Sequence, residues 1–416
     1  MTSVNPFSAG DGNDWRSRAF DVIPGGSSTG SKRPDALYGS RARDSALPTH
    51  FERAEGCLLW TPDGRRFVDC TMALGAVGIG YADVAVTRAV QTAAAAGNVT
   101  GLPHRMEVEV AERLVDLVPC AEHVRLLRTG AEATAAAVRI ARAATGRSHI
   151  IACGYFGWLD WCSDAEGVPD AVQADVTWVP FGDVAALEAA VSTHATQLAA
   201  VIIEPLVHDV APVGWLVAAR RACDRTGAVL IFDEIKTAFR IRTGGVQELL
   251  DVTPDLSALG KAMANGYPLS AVVGRAGVME HAARTWISST AATESTGLAA
   301  ALAVFAWHDR VDVPERMAQA GGMLQEVIGA ALARSPWVGV RVEGHPAMWR
   351  LVTDMPDSLD ALVAAAAHAG VLLKRGAYQF GAVAHDQQAI DLVATSMPLV
   401  MQALVPGPRR SGESTI

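Results

Sequence analysis

Lys261 lies in LGKAMANGYP, between small residues: Gly260 precedes it, and Ala262, Ala264 and Gly266 follow. Such neighbours let a flat ring approach the backbone. Only four of the 35 basic residues are lysines, Lys32, Lys236, Lys261 and Lys374, so chemistry that needs an amine has few candidates. A lysine placed after an apolar stretch and desolvated there has a lowered pKa and becomes a nucleophile able to form a Schiff base. Twenty-eight residues earlier, in AVLIFDEI, the apolar run closes on the two acids Asp233 and Glu234. Acids at the carboxyl end of an apolar parallel strand point into the crevice where such sheets bind ligands. The ordinary alternative is a loop cap, or a pair with Arg240.

In a third element, VRLLRTGAEATAAAVRIA, a strand runs into Thr129-Gly130 and a helix begins. Free N–H groups and the positive end of the helix dipole suit a phosphate. A phosphate cradle, a strand-end acid and a sequestered amine are the three protein groups that pyridoxal 5′-phosphate requires. They serve as its anchor, its ring-nitrogen partner and the amine for its aldehyde.

The elements that must hold these groups are legible from their periods. Residues 1–60 are rich in Gly, Ser and Pro, and TPDGRRFVD places a turn at Gly64 between strands LLW and RFVDC. DVAVTRAVQTAAAAG and EVEVAERLVDLVPC have helical period. From 124 to 275, apolar runs at 124–128, 149–153, 176–180, 199–204, 228–234 and 270–274 alternate with helical segments closed by Gly. Continuous apolar runs separated by helices predict parallel strands buried on both faces. After TGLAAALAVFAW the chain becomes α+β, with VRVEG, MWRLVT, helix DSLDALVAAAAHAG, strand VLLKRG and a last helix near 386–404. The expected division is an arm and hairpin (1–65) joining the small domain, a large α/β domain (66–306), a small α+β domain (307–405) and a flexible tail (406–416).

Half of the 416 residues are hydrophobic and 19% are charged, as in a globular protein with a sizeable core. A net charge of −9 without basic runs argues against a nucleic-acid partner. No apolar run reaches a membrane span. The segment MTSVNPFSAGDGNDWRSRAF lacks a basic stretch followed by an apolar one, so a cytoplasmic location is expected. Six cysteines without a C-x-x-C pair give no support to a metal site or disulfide framework.

The order and spacing of IPGG (23–26), LPH (102–104), RTGAEA, CGYFGW, FDEIKTAFR, GKAMANGYPLSAVVGR and ISSTAATE (287–294) resemble the class III aminotransferases, in the branch that includes glutamate-1-semialdehyde aminomutase. The likeness fades near GAVAHD (381–386). It implies fold type I of the pyridoxal-phosphate-dependent transferases, a large α/β domain with a mostly parallel seven-stranded sheet plus a smaller α+β domain. It also implies a homodimer with shared active sites that moves an amino group between small amine and keto substrates through a Lys261 aldimine, in specialised biosynthesis.

Residue by residue, Lys261 matches the Schiff-base lysine and Asp233 the partner of the pyridine nitrogen. Thr129, Gly130 and Ala131 match the phosphate turn, and Tyr155 and Ile235 match the groups on the two ring faces. Thr290, with Thr293 as the alternative, matches a threonine that reaches the phosphate from the partner subunit. Glu132 and Glu204 fall near the site as functional or structural groups, and Lys236 reads as a surface or loop residue.

The departures are Ala131 for a hydroxyl residue, Phe156 for a histidine, and Val207 for a polar residue, which leaves His208 as a weak candidate beside the ring. The stretch from Trp158 to Val168 is short for a gating loop, and Ala377 stands near the aminomutase's C-terminal acid. Both favour a transaminase over an intramolecular amino shift. Lys374 and Arg375, like Lys32 and Arg33, are either substrate cations or solvated charges.

Overall fold

The computed structural model describes residues 12–207, 213–335, 338–376 and 378–404, so His208, Ala377 and the expected tail lie outside the described residues. The chain forms two compact units. One is built from residues up to Leu74 and from Gln319 onward, and the other is Gly75–Ala318.

After helices Gly12–Val22 and Pro34–Tyr38, the first unit forms an antiparallel ladder of β1 (Arg53–Glu55), β2 (Leu58–Trp60) and β3 (Arg66–Asp69). The turn before β3 contains Gly64 at φ 82°, in the left-handed region that glycine tolerates best.

The second unit holds a seven-stranded sheet of β4 (His123–Leu127), β5 (His149–Cys153), β6 (Val176–Trp178), β7 (Leu198–Ile203), β8 (Val229–Asp233), β9 (Leu256–Leu259) and β10 (Ser270–Gly274). The spatial order is β4-β10-β9-β8-β7-β5-β6. Neighbours from β6 through β9 are parallel, whereas β10 is antiparallel to both β4 and β9. The expectation of a parallel strand at 270–274 therefore fails. The link from Leu259 to Ser270 is too short for the dozen or more residues of a crossover, so the chain must double back. That link carries Lys261.

Strands β5, β7, β8, β9 and β10 are buried along their whole length, each fully buried Val, Leu or Ile contributing about 1.5–3 kcal/mol. Helix Gly130–Thr145 buries Ala133, Ala136, Ala137, Val138, Ile140 and Ala141. Its alanines let the axis come close to the sheet, which brings the helix N-terminus near the strand ends. Gly146, in the left-handed region at φ 66°, stops the helix.

Further along the chain, β11 (Val340–His345), β12 (Met348–Thr353) and β14 (Tyr378–Phe380) form an antiparallel sheet of the first unit, and β13 (Val371–Leu372) pairs in parallel with β3. Helix Pro356–His368 precedes β13.

The units divide at other places than the expected 66 and 307. Residues 66–74 stay with the first unit because β3 is an inner strand of a four-stranded sheet, paired on one side with β2 and on the other with β13. Residues 307–318 belong to the second unit, where Thr243 Oγ1 and His308 Nδ1 lie 2.9 Å apart and Arg113 pairs with Asp309 at 2.5 Å. Among the described residues, no helix is long and apolar enough to cross a membrane.

Candidate active site

A cavity of 360 Å³ lies past the carboxyl ends of β4, β5, β8 and β9, within the second unit. Asp233, Ile235, Lys261, Thr129, Gly130 and Ala131 all line it, as does Tyr155.

Asp233 ends β8 and is buried, with Oδ1 accepting the Ile235 N–H at 3.0 Å. Burial first, and the nearby Glu204 charge second, push its carboxyl from an ordinary 3.8 up to about 7. Lys261 follows Gly260 at the end of β9 with φ 47°, a strained backbone for a residue with a long side chain. Burial, then the Lys236 ammonium, bring its amine from 10.5 down to about 8, against the pull of Asp233 and Glu204. A useful share of Lys261 is thus the free amine near neutral pH.

The next turn is clamped by Asn265. Its side-chain oxygen accepts the N–H groups of Gly78 and Ile79 at 3.1 and 3.0 Å, and its amide donates to the Gly80 carbonyl at 2.9 Å. Behind Lys261, the fully buried Arg240 donates to the Gly75 carbonyl at 2.8 Å.

At the helix N-terminus, Thr129 and Glu132 form a capping box. Thr129 Oγ1 accepts the Glu132 N–H at 3.2 Å, and the Glu132 carboxylate accepts the Thr129 and Arg128 N–H groups at 2.8 and 3.1 Å. Glu132 is therefore a cap. The first helical N–H groups, those of Gly130 and Ala131, have no intrahelical acceptor and lie at the cavity wall. Ser270 Oγ donates to the Thr129 carbonyl at 2.7 Å and fixes this corner to β10.

Two glycines keep the corner open. A Cβ on Gly130 would sit 2.8 Å from Ile235 Cδ1, and one on Gly157 would sit 2.5 Å from Ala131 Cβ and 2.9 Å from Ala131 Cα. Gly157 also has φ 108°, where any side chain is strained. Gly157→Ala is expected to cost about 1–3 kcal/mol and to displace the Ala131 N–H. Thermal melts of the protein and equilibrium binding of pyridoxal phosphate to the variant should both fall.

Tyr155 is 73% exposed at the rim, where its N–H donates to Glu204 Oε1 at 2.6 Å. Phe156 also borders the cavity, is buried, and stacks on Trp161 and Trp178 with ring centroids 5.8 and 6.0 Å apart. Thr290 is not brought to the Lys261 cavity. With Thr293 it lines a separate 190 Å³ cavity against residues 97–104.

Three expectations need correction. Lys236 is not a surface residue: it lines the Lys261 cavity and forms an ion pair with the buried Glu204. Lys374 is neither a solvated charge nor a substrate cation, because its buried ammonium donates to the carbonyls of Ser31 and Ala36 at 2.6 and 3.1 Å. Arg375 is held by the buried Asp360.

The residues fit pyridoxal phosphate. The free N–H groups and side-chain-free corner at Gly130 suit its phosphate, the buried Asp233 carboxylate calls for a cationic partner such as a protonated ring nitrogen, and a depressed amine suits its aldehyde.

The model of the aminotransferase class-III family matches residues 38–380. The chain belongs to the class III aminotransferases. This class III aminotransferase is 34% identical to a 3-aminobutyryl-CoA aminotransferase of Cloacimonas acidaminovorans over 68% of the chain and 69% of that protein. It is 37% identical to a glutamate-1-semialdehyde 2,1-aminomutase of Rhodopirellula baltica over 63% of the chain, an overlap that spans 62% of that protein. Its fold matches the FumI protein of Sphingopyxis sp. MTA144, solved in its PLP internal aldimine form. The TM-score is 0.88 and the identity 26%, over 94% of this chain and 95% of that one. The protein is accordingly a pyridoxal-phosphate-dependent aminotransferase of fold type I, with a large, mostly parallel sheet.

Proposed function

We propose that Lys261 is the reactive amine of this aminotransferase and Asp233 the partner of the ring nitrogen, in an enzyme that moves an amino group between a small amine or amino acid and a carbonyl acceptor. The observation that carries this reading is one cavity lined by a depressed lysine, a buried strand-end carboxylate and the start of a helix. When bound there, pyridoxal phosphate supplies an aldehyde that combines with amines and a ring that accepts electrons.

The N–H groups of Gly130 and Ala131, steadied by Thr129, would hold the phosphate. Asp233 keeps the ring nitrogen protonated, its own charge made acceptable by that proton. Tyr155 and Ile235, which both line the cavity, would flank the ring, and Ile235 would help exclude water. Lys261 Nζ in its amine form takes the proton from the substrate's α-carbon and, as ammonium, returns it during transfer.

The exposed Thr290, set in a cavity apart from Lys261, supports a homodimer in which each chain lends this threonine to its partner's phosphate. Six free, buried cysteines accord with a cytoplasmic enzyme. Specialised biosynthesis is the setting we assign.

The test supplies amine donors to the cofactor-loaded enzyme without an acceptor. A transaminase makes one equivalent of carbonyl product per site, loses its visible cofactor band, and recovers it when a keto acid is added. Continuous conversion of the donor to an isomer with no acceptor would overturn this reading in favour of an aminomutase.

A further inference from the structure

Lys236 stands just past the end of β8, where the backbone turns back on itself: the Thr237 and Ala238 N–H groups both donate to the Glu234 carbonyl, at 3.1 and 2.9 Å. The turn brings its side chain into the Lys261 cavity and against Glu204. Glu204 directly follows the adjacent strand β7, and the pairing of Ile203 with Phe232 sets it beside the end of β8. Both partners are sequestered, at 16% side-chain exposure for Lys236 and 4% for Glu204. Gly154 permits this close packing: at φ 136°, a Cβ there would lie 2.6 Å from Glu204 Cγ.

We propose that Lys236 is a positioning residue for Lys261, its ion pair with Glu204 leaving the cavity's negative charge on Asp233 and its free amine on Lys261. Two buried carboxylates, Asp233 and Glu204, would otherwise face a single amine and draw it into a plain ammonium–carboxylate pair. A second ammonium satisfies one of the carboxylates and repels a proton on the other amine. The causes acting on Lys261 have these signs: burial and Lys236 lower it, and Asp233 and Glu204 raise it.

The other groups facing this cluster do not replace Lys236. Arg240 also disfavours the Lys261 ammonium, from behind, with its guanidinium on the Gly75 carbonyl. Arg128 at the rim pairs with Glu294 at 3.1 Å. The thiol of Cys153 lies near Glu204 and that of Cys162 near Asp233, and burial holds both protonated, at about 12 and about 11. Tyr155 and Tyr267 complete the wall.

The inference rests on Lys261 being the reactive amine. The experiment is pulsed acylation of the apoenzyme across pH, read by peptide mass spectrometry, which follows the chain's four lysines separately. Lys236→Met should raise the pH of half-maximal Lys261 labelling by about one unit. Glu204→Gln should lower it, and Lys236→Arg should restore it. Because Lys236→Met leaves a buried carboxylate alone, the double variant Lys236→Met/Glu204→Gln is included; it buries no uncompensated charge and should return the midpoint toward that of the parent chain. An unmoved midpoint in Lys236→Met, or shifts of the same sign in both single variants, overturns the inference. The underlying reading fails by a different result, transamination that survives in Lys261→Ala.

Discussion

Lys261→Ala is expected to lower the rate of amino transfer by about 10³-fold or more, with the protein folded and the phosphate corner intact. Among the described residues the replacement loses the depressed amine but none of the N–H groups at Gly130 and Ala131 that would hold the phosphate. Retention of pyridoxal phosphate on gel filtration should therefore fall far less than the rate, measured by rapid mixing with an amine donor. Added small primary amines should restore part of the proton transfer, since they enter an open 360 Å³ cavity and carry the missing base. Wild-type rates in this variant would remove Lys261 from the chemistry.

The second large effect concerns Asp233, whose substitution should separate stability from function. Its folded carboxyl is raised, so the protonated form is favoured by folding. The associated stability is present below the ordinary carboxylate value of 3.8 and is lost as pH rises through about 7. In the apoenzyme, Asp233→Asn should thus melt higher than the parent chain above pH 7, by on the order of 2 kcal/mol, and the two should converge toward pH 4. With cofactor the order reverses. The variant loses the carboxylate that keeps the ring nitrogen protonated, and turnover should drop by about 10²–10³-fold while Kd rises. Calorimetric melts from pH 4 to 9, with and without pyridoxal phosphate, check both halves. An apo variant that melts lower at every pH would contradict a net cost of ionising this buried carboxylate.

Much of this site was legible from residue types. Lys261 and Asp233 stand out because lysine is scarce and because an apolar run that ends in acids marks a strand end. The strand at 149–153 and the helix from Gly130 were expected where they occur, since burial on both faces and capping leave local signatures. Strand β9 was not expected: LSAL lacks β-branched residues, and its place is set by β8 and β10 on either side. The direction of β10 was equally hidden, because an apolar run reads alike in both senses. Lys236 was misread for a related reason. Past the end of a strand the alternation of faces no longer applies, and its partner Glu204 is brought near by sheet order, which a linear pattern does not contain. Lys374 shows the same limit, since its burial depends on carbonyls from the other end of the chain.

The pairing of β3 with β13 bears on how the molecule is made. On a ribosome the stretch Gly75–Ala318 emerges as one continuous piece and has its whole sheet in hand before synthesis is finished. β3 appears earlier but must wait for Val371–Leu372, roughly 300 residues behind it, so its exposed edge persists through most of translation. The nascent chain thus completes the cavity of Lys261 first and the unit that carries its two ends last, and the β1–β3 ladder is the stretch a chaperone would have most time to meet.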